Sequence, residues 1–140
     1  MRRGVFDRSR PHWAGAKLVG DKVYIIHQTP SERSRISNAL KSEPVTIETY
    51  DSAEQFLNQV AVMSSGCILA PSSLSGMGVR ALINEILGRD VALPIVVIGR
   101  NSDLATAVEL VRAGATDFLE ESFSDRQLRS AVRRAFGTNY

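Results

Sequence analysis

The chain has 140 residues, 44% of them hydrophobic and 23% charged, which is enough for one good globular core. Its formal net charge is only +2, too small for wholesale nucleic-acid binding. No apolar stretch approaches the roughly 20 residues that span a bilayer, the N-terminus lacks the apolar run of a secretory signal, and the single cysteine, Cys67, cannot form an internal disulfide, so a cytoplasmic protein is expected.

Residues 1–20 have no sustained period and are punctuated by Pro11, Gly15 and Gly20. Arg2, Arg3, Arg8, Arg10 and Lys17 are opposed there by Asp7 alone, so a basic arm precedes a slightly acidic body at 21–140. The arm is either ordered on the body through Phe6 and Trp13 or a disordered tail.

Val23-Tyr24-Ile25-Ile26 is a short β-rich run that reads as a strand buried on both faces. Thr29-Pro30-Ser31-Glu32 predicts a helix start, with Thr29 as N-cap, Pro30 at the first helical position and Glu32 closing a capping box. Ile36, Ala39 and Leu40 form its inward stripe. Pro44–Tyr50 alternates and predicts a second strand near an edge. Asp51-Ser52-Ala53-Glu54 predicts another capping box, followed by a helix with Ala53, Phe56, Leu57 and Val60 on one face.

Cys67-Ile68-Leu69-Ala70 predicts the third strand, and Pro71–Gly78 a loop rich in turn residues. Val79, Leu82, Ile83 and Ile86 mark a third helix, with Gly88 expected as the left-handed residue just past its end. Leu93–Gly99 is the strongest strand signal, with Pro94 among its first residues. Leu104, Ala107, Val108 and Val111 form a fourth helical stripe, Thr116–Leu119 a fifth strand, and Ser124-Asp125 opens a last helix with Leu128, Val132 and Phe136 inward.

Five strands alternating with five helices predict an α/β three-layer sandwich around a parallel sheet. Chemistry in such sheets lies beyond the carboxyl ends of the strands, here near His27-Gln28, Ala70-Pro71, Gly99-Arg100 and Glu120-Glu121.

Several strings in this order carry a resemblance: Thr49-Tyr50-Asp51-Ser52-Ala53-Glu54-Gln55-Phe56-Leu57, Leu74-Ser75-Gly76-Met77, Leu93–Ile98, and Arg112-Ala113-Gly114-Ala115-Thr116-Asp117-Phe118-Leu119. Over residues 21–137 the chain resembles the CheY-like receiver domain of two-component signalling, most of all receivers that normally precede a helix-turn-helix output domain. The resemblance implies a flavodoxin-like (βα)5 fold with strand order 2-1-3-4-5. It also implies an acid pair for Mg²⁺ at His27-Gln28, a phosphorylated aspartate at Pro71, a Thr or Ser at Gly99, and a Lys-Pro pair at Glu121-Ser122. None of these positions holds the family's residue.

Phosphoryl transfer needs an in-line oxygen nucleophile and cations to neutralise developing charge, and Mg²⁺ needs hard oxygen ligands. No Asp or Glu stands between Glu54 and Glu85, which both fall in predicted helices far from the third strand's end. The expectation is an aspartate-less pseudo-receiver with no cofactor, no metal and no enzymatic activity, working by protein contact as a homodimer or on a histidine kinase or transcriptional regulator. Two alternatives stay open: a small molecule in the vacated pocket near Ala70, Pro71 and Gly99, and nucleic-acid contact through the basic arm.

By resemblance Phe118 occupies the aromatic switch position, and its other reading is a core aromatic. The face of the fourth helix, fifth strand and fifth helix is the family's usual partner surface, here Asp103, Glu109, Arg112, Asp117, Arg129 and Arg133. A His27–Glu121 hydrogen bond at the sheet's carboxyl end is a further candidate, as a pH-sensitive lock. Ser72, Ser73 and Ser75 have no base or metal motif beside them and read as turn residues.

Overall fold

A computed structural model describes residues 22–59, 65–89, 93–100 and 104–137. The expected arm at 1–20, Val60 of the second stripe and Asp103 of the partner face lie outside the described residues. The elements run β1 (Lys22–Ile26), α1 (Pro30–Ala39), β2 (Thr46–Tyr50), α2 (Ala53–Gln59), β3 (Cys67–Pro71), α3 (Gly78–Gly88), β4 (Ile95–Gly99), α4 (Leu104–Ala113), β5 (Asp117–Glu120) and α5 (Asp125–Gly137). The sheet order is β2-β1-β3-β4-β5 and every pairing is parallel, as expected.

Alternation along the strands divides the core in two. Tyr24, Ile26, Ile68, Ala70, Ile95 and Val97 face α2, α3 and α4. Val23, Ile25, Cys67, Leu69, Val96 and Ile98 face α1 and α5. Both faces of the central strands are covered, which explains their uninterrupted apolar runs. Phe56 of α2 is fully buried and meets the Tyr24 and Tyr50 rings edge-on, each with centroids 5.2 Å away. Burial pushes the Cys67 thiol up to about 12, so it stays protonated and inert in the core.

Three local expectations are corrected. Thr29 makes no side-chain cap at α1, and Glu32 turns instead to Arg35 at 3.0 Å. At α2 the cap moves one residue on: the Gln55 N–H donates to Ser52 Oγ (3.0 Å) and the Asp51 N–H donates to Gln55 Oε1 (2.8 Å). Gly88 is the last residue of α3, and Arg89 caps it with an ordinary φ of −91°. The left-handed glycine at a helix end is Gly114, after α4, with φ 129°. Ser124 and Gln127 form a reciprocal capping box at α5 (3.1 and 2.7 Å).

The fourth stripe is also corrected. Leu110 is the buried residue of α4, while Leu104, Val108 and Val111 are 70%, 44% and 46% exposed. Only Thr106, Glu109 and Arg112 are polar in this helix, so its 3.6-residue period fits more than one inward face. The docking of Leu110 on the sheet selects the face that periodicity leaves undecided.

Candidate functional site at the carboxyl end of the sheet

The sheet brings His27, Gln28, Pro71, Gly99 and Glu121 to one end, because parallel strands all finish on the same side. Their chemistry there is self-contained. The His27 backbone N–H donates to the Tyr50 carbonyl (3.0 Å), and its Nδ1 accepts from the Thr29 N–H (3.0 Å). An accepting Nδ1 leaves the proton of the neutral ring on Nε2. Burial lowers the His27 pKa, and Arg33 pushes it the same way against the pull of Glu32. The Arg33 guanidinium also donates to the His27 carbonyl (2.6 Å), so residue 27 closes the start of α1 where Thr29 and Glu32 were expected to do so.

Gln28 works across the sheet end. Its Nε2 donates to the Ser73 carbonyl (3.1 Å), and its Oε1 accepts from the Ser75 N–H (3.4 Å). The far end of the same loop is held from α2, where Glu54 Oε2 accepts from the Met77 N–H (3.1 Å). Glu54 is helical as expected, but its carboxylate does reach the loop after β3. Its freedom to do so follows from the shifted cap, since Gln55 rather than Glu54 closes the start of α2.

Pro71 is buried as the last residue of β3, opposite Ile98, and carries no nucleophile. The β3–β4 ladder continues past it, with the Ser72 N–H donating to the Ile98 carbonyl (2.8 Å). Beyond β5, Glu121 pairs with Arg100 at 3.3 Å, both side chains being largely exposed. The Glu121 carbonyl accepts from Arg35 Nη2 (3.1 Å), and the Arg35 guanidinium lies 4.1 Å over the Phe123 ring. Ser122 is exposed beside it. The proposed His27–Glu121 pair is not what the structure builds: His27 is engaged at α1 and Glu121 with Arg100. Among the described residues no group of three His, Cys, Asp or Glu could hold a metal ion.

The expected partner face is partly reassembled. Asp117 pairs with Arg134 at 2.9 Å, and Glu109 pairs with Arg80 at 3.0 Å across α3 and α4. Arg112 is exposed and lines a groove of about 350 Å³ with Arg80, Ala105, Val108, Glu109 and Ala113. Arg129 and Arg133 turn the other way. Arg129 donates to the Ala39 carbonyl (3.4 Å), and Arg133 holds the buried Glu43 carboxylate in a bidentate pair (2.8 and 2.9 Å). That hydrogen-bonded pair lowers the Glu43 pKa. The neighbouring arginine, Arg134, belongs to the face in place of Arg133. Arg134, Arg35 and Arg100 carried no motif, Glu54 was read only as a helix cap, and only the tertiary fold gives them these partners.

Residues 23–133 match the response regulator receiver domain. The chain is 29% identical over 115 residues to the transcriptional regulatory protein FixJ of Azorhizobium caulinodans, covering 82% of this chain and 54% of that protein. It is 28% identical over 137 residues to the response regulator protein TodT of Pseudomonas putida, covering 94% and 59%. The chain thus spans little more than half the length of these curated relatives. Among solved structures, full-length FixJ from B. japonicum superposes with a TM-score of 0.79 at 25% identity, covering 86% of this chain and 59% of that one. The receiver domain of NtrX from Brucella abortus superposes with a TM-score of 0.76 at 25% identity, covering 83% and 98%. With the family's sheet order in place and its sequence pattern matched along most of the chain, this protein belongs to the response regulator receiver domain family.

Proposed function

We propose that this chain is a receiver-type signalling module that works by protein contact without being phosphorylated, and that it is not an enzyme. The observation that carries the reading is the state of the strand ends. Gln28 staples the loop after β3 and Pro71 closes β3 without a nucleophile. Gly99 offers no hydroxyl, and Glu121 places an anion where a cation would be needed. Like charges ~4 Å apart repel by about 4 kcal/mol at an effective dielectric near 20, so a phosphoryl group beside Glu121 is disfavoured. The scaffold that carries these residues is kept whole, with its caps, stripes and sheet.

The surface that suits partner binding is the α4–β5–α5 face. Exposed Leu104, Val108 and Val111 lie there among the Asp117–Arg134 and Glu109–Arg80 pairs. Apolar residues ringed by both signs of charge suit a self-complementary homodimer contact, and equally a histidine kinase or transcriptional regulator as partner. A cytoplasmic location goes with that role; among the described residues no helix is long and apolar enough to cross a membrane. The small-molecule reading is less well supported, because Gln28 and the Phe118 ring already reach into the sheet end where a ligand would sit. Nucleic-acid contact through residues 1–20 ranks last.

The test is intact-mass spectrometry after incubation with acetyl phosphate and Mg²⁺. The expected result is an unchanged mass; a stable adduct of one phosphoryl group would overturn the reading.

A further inference from the structure

Opposite charges are separated along this chain. Between Lys41 and Arg80 there is no Lys, Arg or His, while Glu43, Glu48, Asp51 and Glu54 all fall there. Two of these acids are matched from elsewhere, Glu43 by Arg133 at 2.8 Å and Glu48 by Lys22 at 3.0 Å. Asp51 and Glu54 are exposed and form no ion pair with any described residue. The basic counterpart is the arm, where Arg2, Arg3, Arg8, Arg10 and Lys17 are set against Asp7 alone.

The acids adjoin an open edge. β2 pairs with β1 on one side and with no other described strand. The backbone groups along its outer side are left to water or to another segment of chain. Thr46 and Thr49 are exposed there, and Val45 and Ile47 are only half-buried, so an apolar strip lies beside the open backbone. Asp51 follows directly at the carboxyl end of the strand, and Glu54 lies in the first turn of α2.

The arm can reach this edge. It joins the domain at Lys22, which is in register with Thr46 at the amino end of β2. A five-residue strand is about 17 Å long. The chain from Arg10 to Gly20 extends to about 36 Å, enough to turn at the amino end and run the length of the edge. A segment running that way lies antiparallel to β2.

We propose that residues 1–20 dock on their own domain along the open edge of β2, with Arg8 and Arg10 against Asp51 and Glu54 and Trp13 over Val45 and Ile47. So placed, the arm covers backbone that another chain could pair with, and it leaves the α4–β5–α5 face free for a partner. The docking does not depend on how the carboxyl end of the sheet treats a phosphoryl group.

The experiment is amide NMR on the full chain with a nitroxide at Ser9→Cys. Cys67 is buried and its thiol is pushed up to about 12, so the introduced thiol labels alone. The nitroxide is expected to broaden residues 46–54 selectively. Arg8→Glu with Arg10→Glu reduces that broadening severalfold, as does about 1 M salt, where charges act over only about 3 Å. Asp51→Lys does the same from the other side; should it not fold, the arm variants leave the domain itself untouched and give the same readout. Broadening centred on residues 104–111, or spread evenly over the domain, overturns the docking, and so does broadening of 46–54 that persists in the charge-reversed arm. A mixture of nitroxide-bearing chain with separate isotope-labelled chain is expected to show no effect. Broadening of 46–54 in that mixture assigns the contact to a second copy and overturns docking within one chain.

Discussion

Protonating His27 has a direction that its surroundings dictate. Burial holds its folded pKa below 6.5, and the Nδ1 that accepts the Thr29 N–H cannot accept once it carries a proton. The unfolded chain therefore binds the proton more readily than the folded one. Stability is fully present above about 6.5 and is lost as pH falls through that value toward the lower folded pKa. Urea unfolding of the wild type and His27→Gln between pH 8 and pH 5 checks this, at about one measurement per half unit. The wild type is expected to lose more stability than the variant on acidification; parallel curves would contradict the assignment. The residues at the strand ends were legible one by one, because His27-Gln28 follows β1 while Pro71 and Gly99 close β3 and β4. Their contacts were not. Gln28 bonds a loop 45 residues away, and Arg133 finds Glu43 across 90 residues, so no local pattern encodes either contact.

Each β-strand and each helix start was legible to within a few residues, since buried parallel strands and amphipathic helices write strong periods. The exception is α4, whose apolar residues surround the cylinder and whose docked face depends on Leu110 meeting the sheet. The consequence is an exposed Leu104–Val108–Val111 strip on the proposed partner face. Val108→Glu adds a charge at a 44%-exposed position, so it should change folding stability by no more than about 0.5 kcal/mol. If this strip is the homodimer contact, sedimentation velocity will show the wild type shifting to a larger species with concentration and Val108→Glu staying monomeric. A variant that associates as the wild type does removes the strip from the interface.

At the scale of the whole molecule, the architecture and the chemistry part company. The sheet order, the two-layered core and the family follow from patterns spread along the chain, and they stand with no acid at residues 27, 28, 71 or 99. The carboxyl end of the sheet is tied up by the molecule's own groups: Gln28 to the loop after β3, Glu121 to Arg100, and the Phe118 ring against Gly99. The central claim is that this end accepts neither metal nor phosphoryl group. The direct measurement is an amide NMR spectrum recorded before and after adding Mg²⁺ with beryllofluoride, a phosphoryl mimic that needs a carboxylate to bind. Superimposable spectra are the predicted result. Saturable shifts confined to residues 27–28, 71–75 and 99–100 would contradict it.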